Sequence, residues 1–226
     1  SVGSGSLSAN TTGGDNVAVG INALLANTTG TNNTALGSYT LATNITSIDN
    51  TAVGDYALHA NTAANNTGIG SSALLTNSTG AANTAVGMDA LAANTTASNN
   101  TAVGKEALLL NTTGAQNTAV GATAMDANTT GATSVAVGYA ALGANTTGSD
   151  NTALGYGALS LNTTGVNNVA IGNNSLDANT TASSNTAVGV NTLSANTTGT
   201  YNTAVGSGAL KAATTADGNT AVGTDS

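Results

Sequence analysis

Cysteine, proline, tryptophan and phenylalanine are all missing from the 226 residues, and two basic side chains stand against ten acidic ones. Each absence excludes something. Without cysteine there are no disulfides and no thiolate metal ligands. So few cations rule out a nucleic acid or an anionic membrane surface as partner. No apolar run approaches the roughly 20 residues that span a bilayer, so a membrane-spanning chain is not expected. Neither a signal peptide nor an initiating Met is visible, and a processed product or an excised fragment is expected on that ground.

What is present is small and polar. The hydrophobic fraction is 40%, mostly Ala and Val, and there are 29 Gly. An ordinary globule leans on Leu, Ile and Phe to offset about 1–2 kcal/mol of backbone entropy per residue. Disorder is the obvious alternative for so much Asn, Thr, Gly and Ser. It fails because net charge is modest, mean hydropathy is +0.07, and the apolar residues recur in strict register.

That register is an internal repeat, the feature that decides the fold. An aliphatic residue followed by Gly recurs from Gly3 and Gly20 to Gly223, and twelve of the thirteen intervals are 17 residues. The exception, Gly54 to Gly70, is 16 residues, with the deletion inside 61–66. A deletion confined there marks a loop that shortens without disturbing the rest. The consensus is G-x-x-A-L-x-x-N-T-T-G-x-x-N-T-A-V. Seventeen residues are too few for a helical hairpin unit. N-T-A-V-G is short, partly β-branched and ends on Gly, so it predicts a strand entering a tight turn. A-L predicts a second short extended segment, and N-T-T-G a corner. The expected architecture is therefore all-β: a parallel β-solenoid (β-roll or β-helix), one coil per repeat, 13 coils, as a single repeat domain over residues 1–226.

Stacked coils turn each column of the repeat into a ladder of like residues about 4.8 Å apart. Two dry aliphatic seams are expected, one from Val19, Leu36, Val53, Val86 and Val103, the other from Leu24, Leu41, Leu58, Leu91 and Leu108. Asn27, Asn94 and Asn111 form one asparagine column, and Asn33, Asn83 and Asn100 a second. Both are expected to bond along the axis and to tolerate left-handed corners. Gly20, Gly37, Gly54 and Gly87 stand where positive φ is needed. Strand residues alternate between faces, so Ala18, Ala35, Ala52, Ala85 and Ala102 should point away from the Val seam. They would form a flat apolar stripe for contact with another chain, from which an oligomer is expected. No atypical terminal repeat closes either end, so a longer array or head-to-tail stacking into a filament is also expected.

Three copies of the motif, Asn16-Val17-Ala18-Val19-Gly20, Ser134-Val135-Ala136-Val137-Gly138 and Asn168-Val169-Ala170-Ile171-Gly172, resemble the N-S-V-A-I-G signature of trimeric autotransporter adhesin heads. The full repeat is similar to arrays in bacteriophage tail fibres and related surface fibres. The resemblance covers essentially the whole chain. It implies a left-handed β-roll, a homotrimer, and an extracellular, cell-surface or virion location. The period of 17 is longer than that of the adhesin heads, and Thr usually replaces the first Val.

Chemistry is sparse. His59 stands alone, without the second His, Cys or carboxylate cluster that a metal or catalytic site requires. Lys105 and Glu106 predict a solvated local pair. Asp residues are scattered among columns, the calcium-binding G-G-x-G-x-D pattern is absent, and the Gly-rich stretches lack a phosphate-loop lysine. N-T-T matches the N-glycosylation acceptor pattern at nearly every coil, although a structural corner accounts for it equally well. No catalytic residue, metal or cofactor is therefore expected. The expected function is non-enzymatic: a rigid, self-associating fibre or stalk, with a cell-surface receptor or glycan as the only outside partner. The alternative is ice binding through Thr columns such as Thr11/Thr28/Thr95, Thr12/Thr29/Thr96 and Thr34/Thr51/Thr84. The usual Thr-x-Thr pair on one strand is missing.

Overall fold

The N-T-A-V-G segment is where each repeat becomes a strand, because β-branched residues flank one small Ala there and Gly then turns the chain. The computed structural model describes residues 1–226. It contains no helix and thirteen three-residue strands: β1 (Val17–Val19), β2 (Thr34–Leu36), β3 (Thr51–Val53), β4 (Thr67–Ile69), β5 (Thr84–Val86), β6 (Thr101–Val103), β7 (Thr118–Val120), β8 (Val135–Val137), β9 (Thr152–Leu154), β10 (Val169–Ile171), β11 (Thr186–Val188), β12 (Thr203–Val205) and β13 (Thr220–Val222). The chain is a parallel β-solenoid of about 12 coils, one fewer than the repeat count suggests, since thirteen strands bound twelve intervals. It divides into two compact units, residues 1–113 with β1–β6 and residues 114–226 with β7–β13.

Within each unit every strand pairs in parallel with the next, like residue on like residue: Val17 on Thr34, Ala18 on Ala35, Val19 on Leu36. Across the 16-residue coil the register closes up by one, with Ala52 on Gly68 and Val53 on Ile69. The deletion is absorbed entirely in the connection, and the strand ladder does not slip.

Each coil has one strand, not two. The A-L segment is a turn, and its Leu takes a left-handed backbone in every copy, with φ between 48° and 55° from Leu7 to Leu210. This conformation costs about 1–2 kcal/mol in a residue with a Cβ. Full burial of the Leu side chain, worth about 1.5–3 kcal/mol, offsets it. Leu24, Leu41, Leu58, Leu91 and Leu108 have no exposed surface. The Gly column behaves differently. At Gly37, φ is 136°, and a Cβ would stand 2.7 Å from the carbonyl oxygen of Gly54 in the next coil. Only Gly fits there.

The two faces of the strand are the reverse of the sequence expectation. Ala18 is 1% exposed, and Ala35, Ala52, Ala85 and Ala102 are fully buried. Val19 and Leu36 are exposed, at 42% and 37%, while Val53, Val86 and Val103 are half-buried. Alternation was right, but the choice of inner face was not. The reason is the width of the coil. At Gly68, the one strand centre without a Cβ, an added Cβ would already meet Leu58 Cγ at 3.2 Å. The interior holds Leu against Ala, and a Val in that position would overlap the Leu.

Candidate functional site: ladders and the outward strand face

Apart from Thr40, Ser134, Ser175 and Thr192, the interior polar residues are asparagines, and these form two ladders with different wiring. In the first, each side-chain amide donates backwards to the carbonyl oxygen of the same Asn one coil earlier. Asn27 Nδ2 reaches Asn10 Oδ1 at 2.9 Å, Asn94 reaches Asn77 at 2.7 Å, and Asn111 reaches Asn94 at 3.0 Å. The other amide hydrogen goes to the backbone carbonyl three residues on, as from Asn94 to Ala97 O at 3.0 Å.

In the second ladder the side-chain oxygen accepts a backbone N–H from the next coil. Asn33 N–H donates to Asn16 Oδ1 at 2.9 Å, and Asn100 N–H to Asn83 Oδ1 at 3.0 Å. The side-chain amide donates to the corner carbonyl of the next coil, as Asn83 does to Ala97 O at 2.9 Å. Corner carbonyls such as Gly30 O and Ala97 O thus collect one bond from each ladder. Neither asparagine column is left-handed, contrary to the sequence expectation. The residue before the second Asn takes that role, as at Asp15, Asn32 and Asp49, with φ of 55°, 58° and 59°. The asparagines point inward, and their exposed neighbours make the corner.

The first ladder breaks twice. Asn61, in the short coil, turns its amide to Ala63 O at 2.7 Å, which leaves the buried Asn44 Oδ1 without a partner. Ala213 replaces the last Asn, and Asn196 Oδ1 is left in the same state. These gaps show that each buried amide depends on its counterpart one coil away.

Outside, the strands present two uncharged columns. One is Thr except for Val17, Val135 and Val169; the other is Val, Leu or Ile throughout. No hydroxyl of the Thr34/Thr51/Thr84 column bonds within the chain. The first Thr of N-T-T is engaged instead: Thr28 Oγ1 donates to Ile45 O at 3.2 Å and Thr95 Oγ1 to Thr112 O at 3.0 Å. Inner strands cover one another's outward aliphatics and nothing else does, for Val205 is 37% exposed while Val222, on the last strand, is 73% exposed.

No known family matches this chain. Nor does any curated protein or any solved structure.

Titratable groups are scattered over the corners. Tyr39 and Tyr56 stack at 5.0 Å with His59 beside them, and Tyr139 stacks on Tyr156 at 5.4 Å. His59 Nδ1 lies 3.1 Å from Tyr39 O. Lys105 and Glu106 form a largely exposed pair at 3.0 Å. Burial pushes the Asp177 carboxyl above the ordinary carboxylate range, while the backbone N–H and hydroxyl of Thr200 hold Asp217 below it. No group of three or more His, Cys, Asp or Glu residues is placed to hold a metal, and there is no helix long and apolar enough to cross a membrane. Sequence reasoning named the Thr columns but missed which of them faces out with free hydroxyls. The signal was the Ala between Thr and Val, whose small size fits the narrow interior.

Proposed function

We propose that the chain is a non-enzymatic structural fibre or stalk, a rigid self-associating rod belonging to an extracellular appendage, surface adhesin or phage tail fibre. One observation carries this reading. Nearly every coil uses its inward side chains for the same hydrogen bonds and contacts, so the repeat builds length and repeats no reactive cluster. Self-association would use the outward Thr/Val columns, which are uncharged, in register and covered by nothing else in the chain. This face replaces the Ala stripe as the contact. A left-handed homotrimer, as in adhesin heads, is the assembly proposed. Sedimentation of the intact protein and of Val86→Glu/Val103→Glu tests it. A trimer is expected for the parent and a folded monomer for the double variant. A monomeric parent, or a trimer indifferent to both charges, overturns the contact.

The strand Thr column also favours a second reading, ice binding. Its hydroxyls are free, regularly spaced by the strand ladder at about 4.8 Å, and set beside an aliphatic column on one face. The N-T-T hydroxyls contribute less, because the first of each pair is bonded to a carbonyl. Thermal hysteresis that disappears in Thr84→Lys/Thr101→Lys would favour ice over self-association.

A further inference from the structure

Fifteen asparagines open an Asn-x-Thr or Asn-x-Ser triplet, the acceptor pattern for N-linked sugar. The fold divides them sharply. Ten, running from Asn27 and Asn44 to Asn179 and Asn196, have no exposed surface. Four others, Asn32, Asn65, Asn99 and Asn173, are exposed, and Asn10 in the first coil is intermediate.

The buried ten belong to the first ladder, and the chemistry there forbids a sugar. Asn145 Nδ2 donates to Asn128 Oδ1 at 2.8 Å and to Gly148 O at 2.9 Å. Both amide hydrogens are taken. N-glycosylation replaces one of them with the anomeric carbon of a hexose, so it removes a buried hydrogen bond and demands space in a close-packed interior.

The exposed acceptors are arranged otherwise. Asn32, Asn65 and Asn99 occupy one column, the left-handed corner residue just before the second buried Asn, with φ of 58°, 63° and 62°. Asp49 and Ala82 fill the intervening coils. The three therefore recur on every second coil, about 10 Å apart along the stack. Their triplets are N-N-T, in which the middle Asn is the buried member of the second ladder.

We propose that the folded solenoid accepts N-linked carbohydrate at Asn32, Asn65, Asn99 and Asn173 and at none of the ten buried acceptors, and that the chain must fold before any asparagine glycosyltransferase reaches it. The donor is a nucleotide-activated hexose. Its anomeric C–O bond to phosphate breaks, the C–Nδ2 bond forms, and one amide proton leaves as the nucleoside diphosphate departs. Modification of the unfolded chain would load the N-T-T asparagines and block coil closure.

The second Thr of N-T-T gives a clean control. It is exposed in every copy, as at Thr29, Thr96 and Thr147, and no hydrogen bond of its hydroxyl holds the fold. Replacing these Thr residues by Ala removes the acceptor pattern and keeps every buried Asn.

The experiment uses the intact protein, a soluble asparagine glycosyltransferase and a nucleotide-activated hexose, with sites mapped by mass spectrometry. On folded protein, hexose is expected at the four exposed asparagines and at none of the buried ten. On protein modified while denatured, hexose is expected at both sets, and refolding, read by circular dichroism and protease resistance, is expected to fail. The Thr→Ala variant treated the same way is expected to refold. Hexose at a buried Asn of protein that stays folded overturns the proposal. So does refolding of parent chains loaded at N-T-T, or four exposed sites left empty by an enzyme that modifies them in the unfolded chain.

Discussion

The two asparagine ladders lie side by side in the same coils, yet one is broken once in each unit and the other is unbroken within either unit. Both cross the 16-residue coil. The first fails there, at Asn44, whereas the second passes through with Asn66 N–H on Asn50 Oδ1 at 2.9 Å. Both also meet a substitution. Ala213 ends the first, but Ser134 carries the second, receiving Asn151 N–H on its hydroxyl at 3.1 Å and donating its own N–H to Asn117 Oδ1 at 3.0 Å. The difference lies in the donor. A backbone N–H is present whatever the side chain, while an amide-to-amide rung needs asparagine on both sides.

This contrast can be broken by mutation. Asn145→Ala should have the largest effect, because it takes one partner each from Asn128 Oδ1, Gly148 O and Asn162 Nδ2 together. At about 1–3 kcal/mol for each buried group left unsatisfied, a loss of about 3–5 kcal/mol is expected from denaturant melts. Asn151→Ser in the second ladder should cost only about 1–2 kcal/mol, since the hydroxyl keeps Asn168 N–H while Gly165 O retains Asn162 Nδ2. Equal costs would erase the distinction. In the other direction, Ala213→Asn restores a donor to Asn196 Oδ1 and should add about 1 kcal/mol. Ser134→Asn should be the smallest change, a gain of about 0.5 kcal/mol, because no backbone donor is idle there.

Much of this was legible beforehand. The period, the parallel one-coil-per-repeat stack and the Gly column all follow from spacing, whereas the deletion at 61–66 keeps the strand register, as expected, but breaks the first ladder at Asn44, which spacing did not show. The inner face of the strand was not. Alternation separates Thr and Val from Ala, but it does not say which set faces inward. That is decided by Leu58 and its counterparts across the coil, which leave room for a single methyl. Nor was the left-handed Leu legible, since the local preference of Leu opposes it and only burial in the stack outweighs that preference. The same inversion hid the candidate outward face, which became visible once Ala was known to lie inside.

The first ladder has one more consequence. Every amide-to-amide rung on either side of the break at Asn61 points the same way, with nitrogen toward the preceding coil and oxygen toward the following one. The amide dipoles in such a row add like magnets on a string. Each run of rungs therefore has a chemical north and south, and its last amide, Asn44 or Asn196, holds a lone pair that nothing answers.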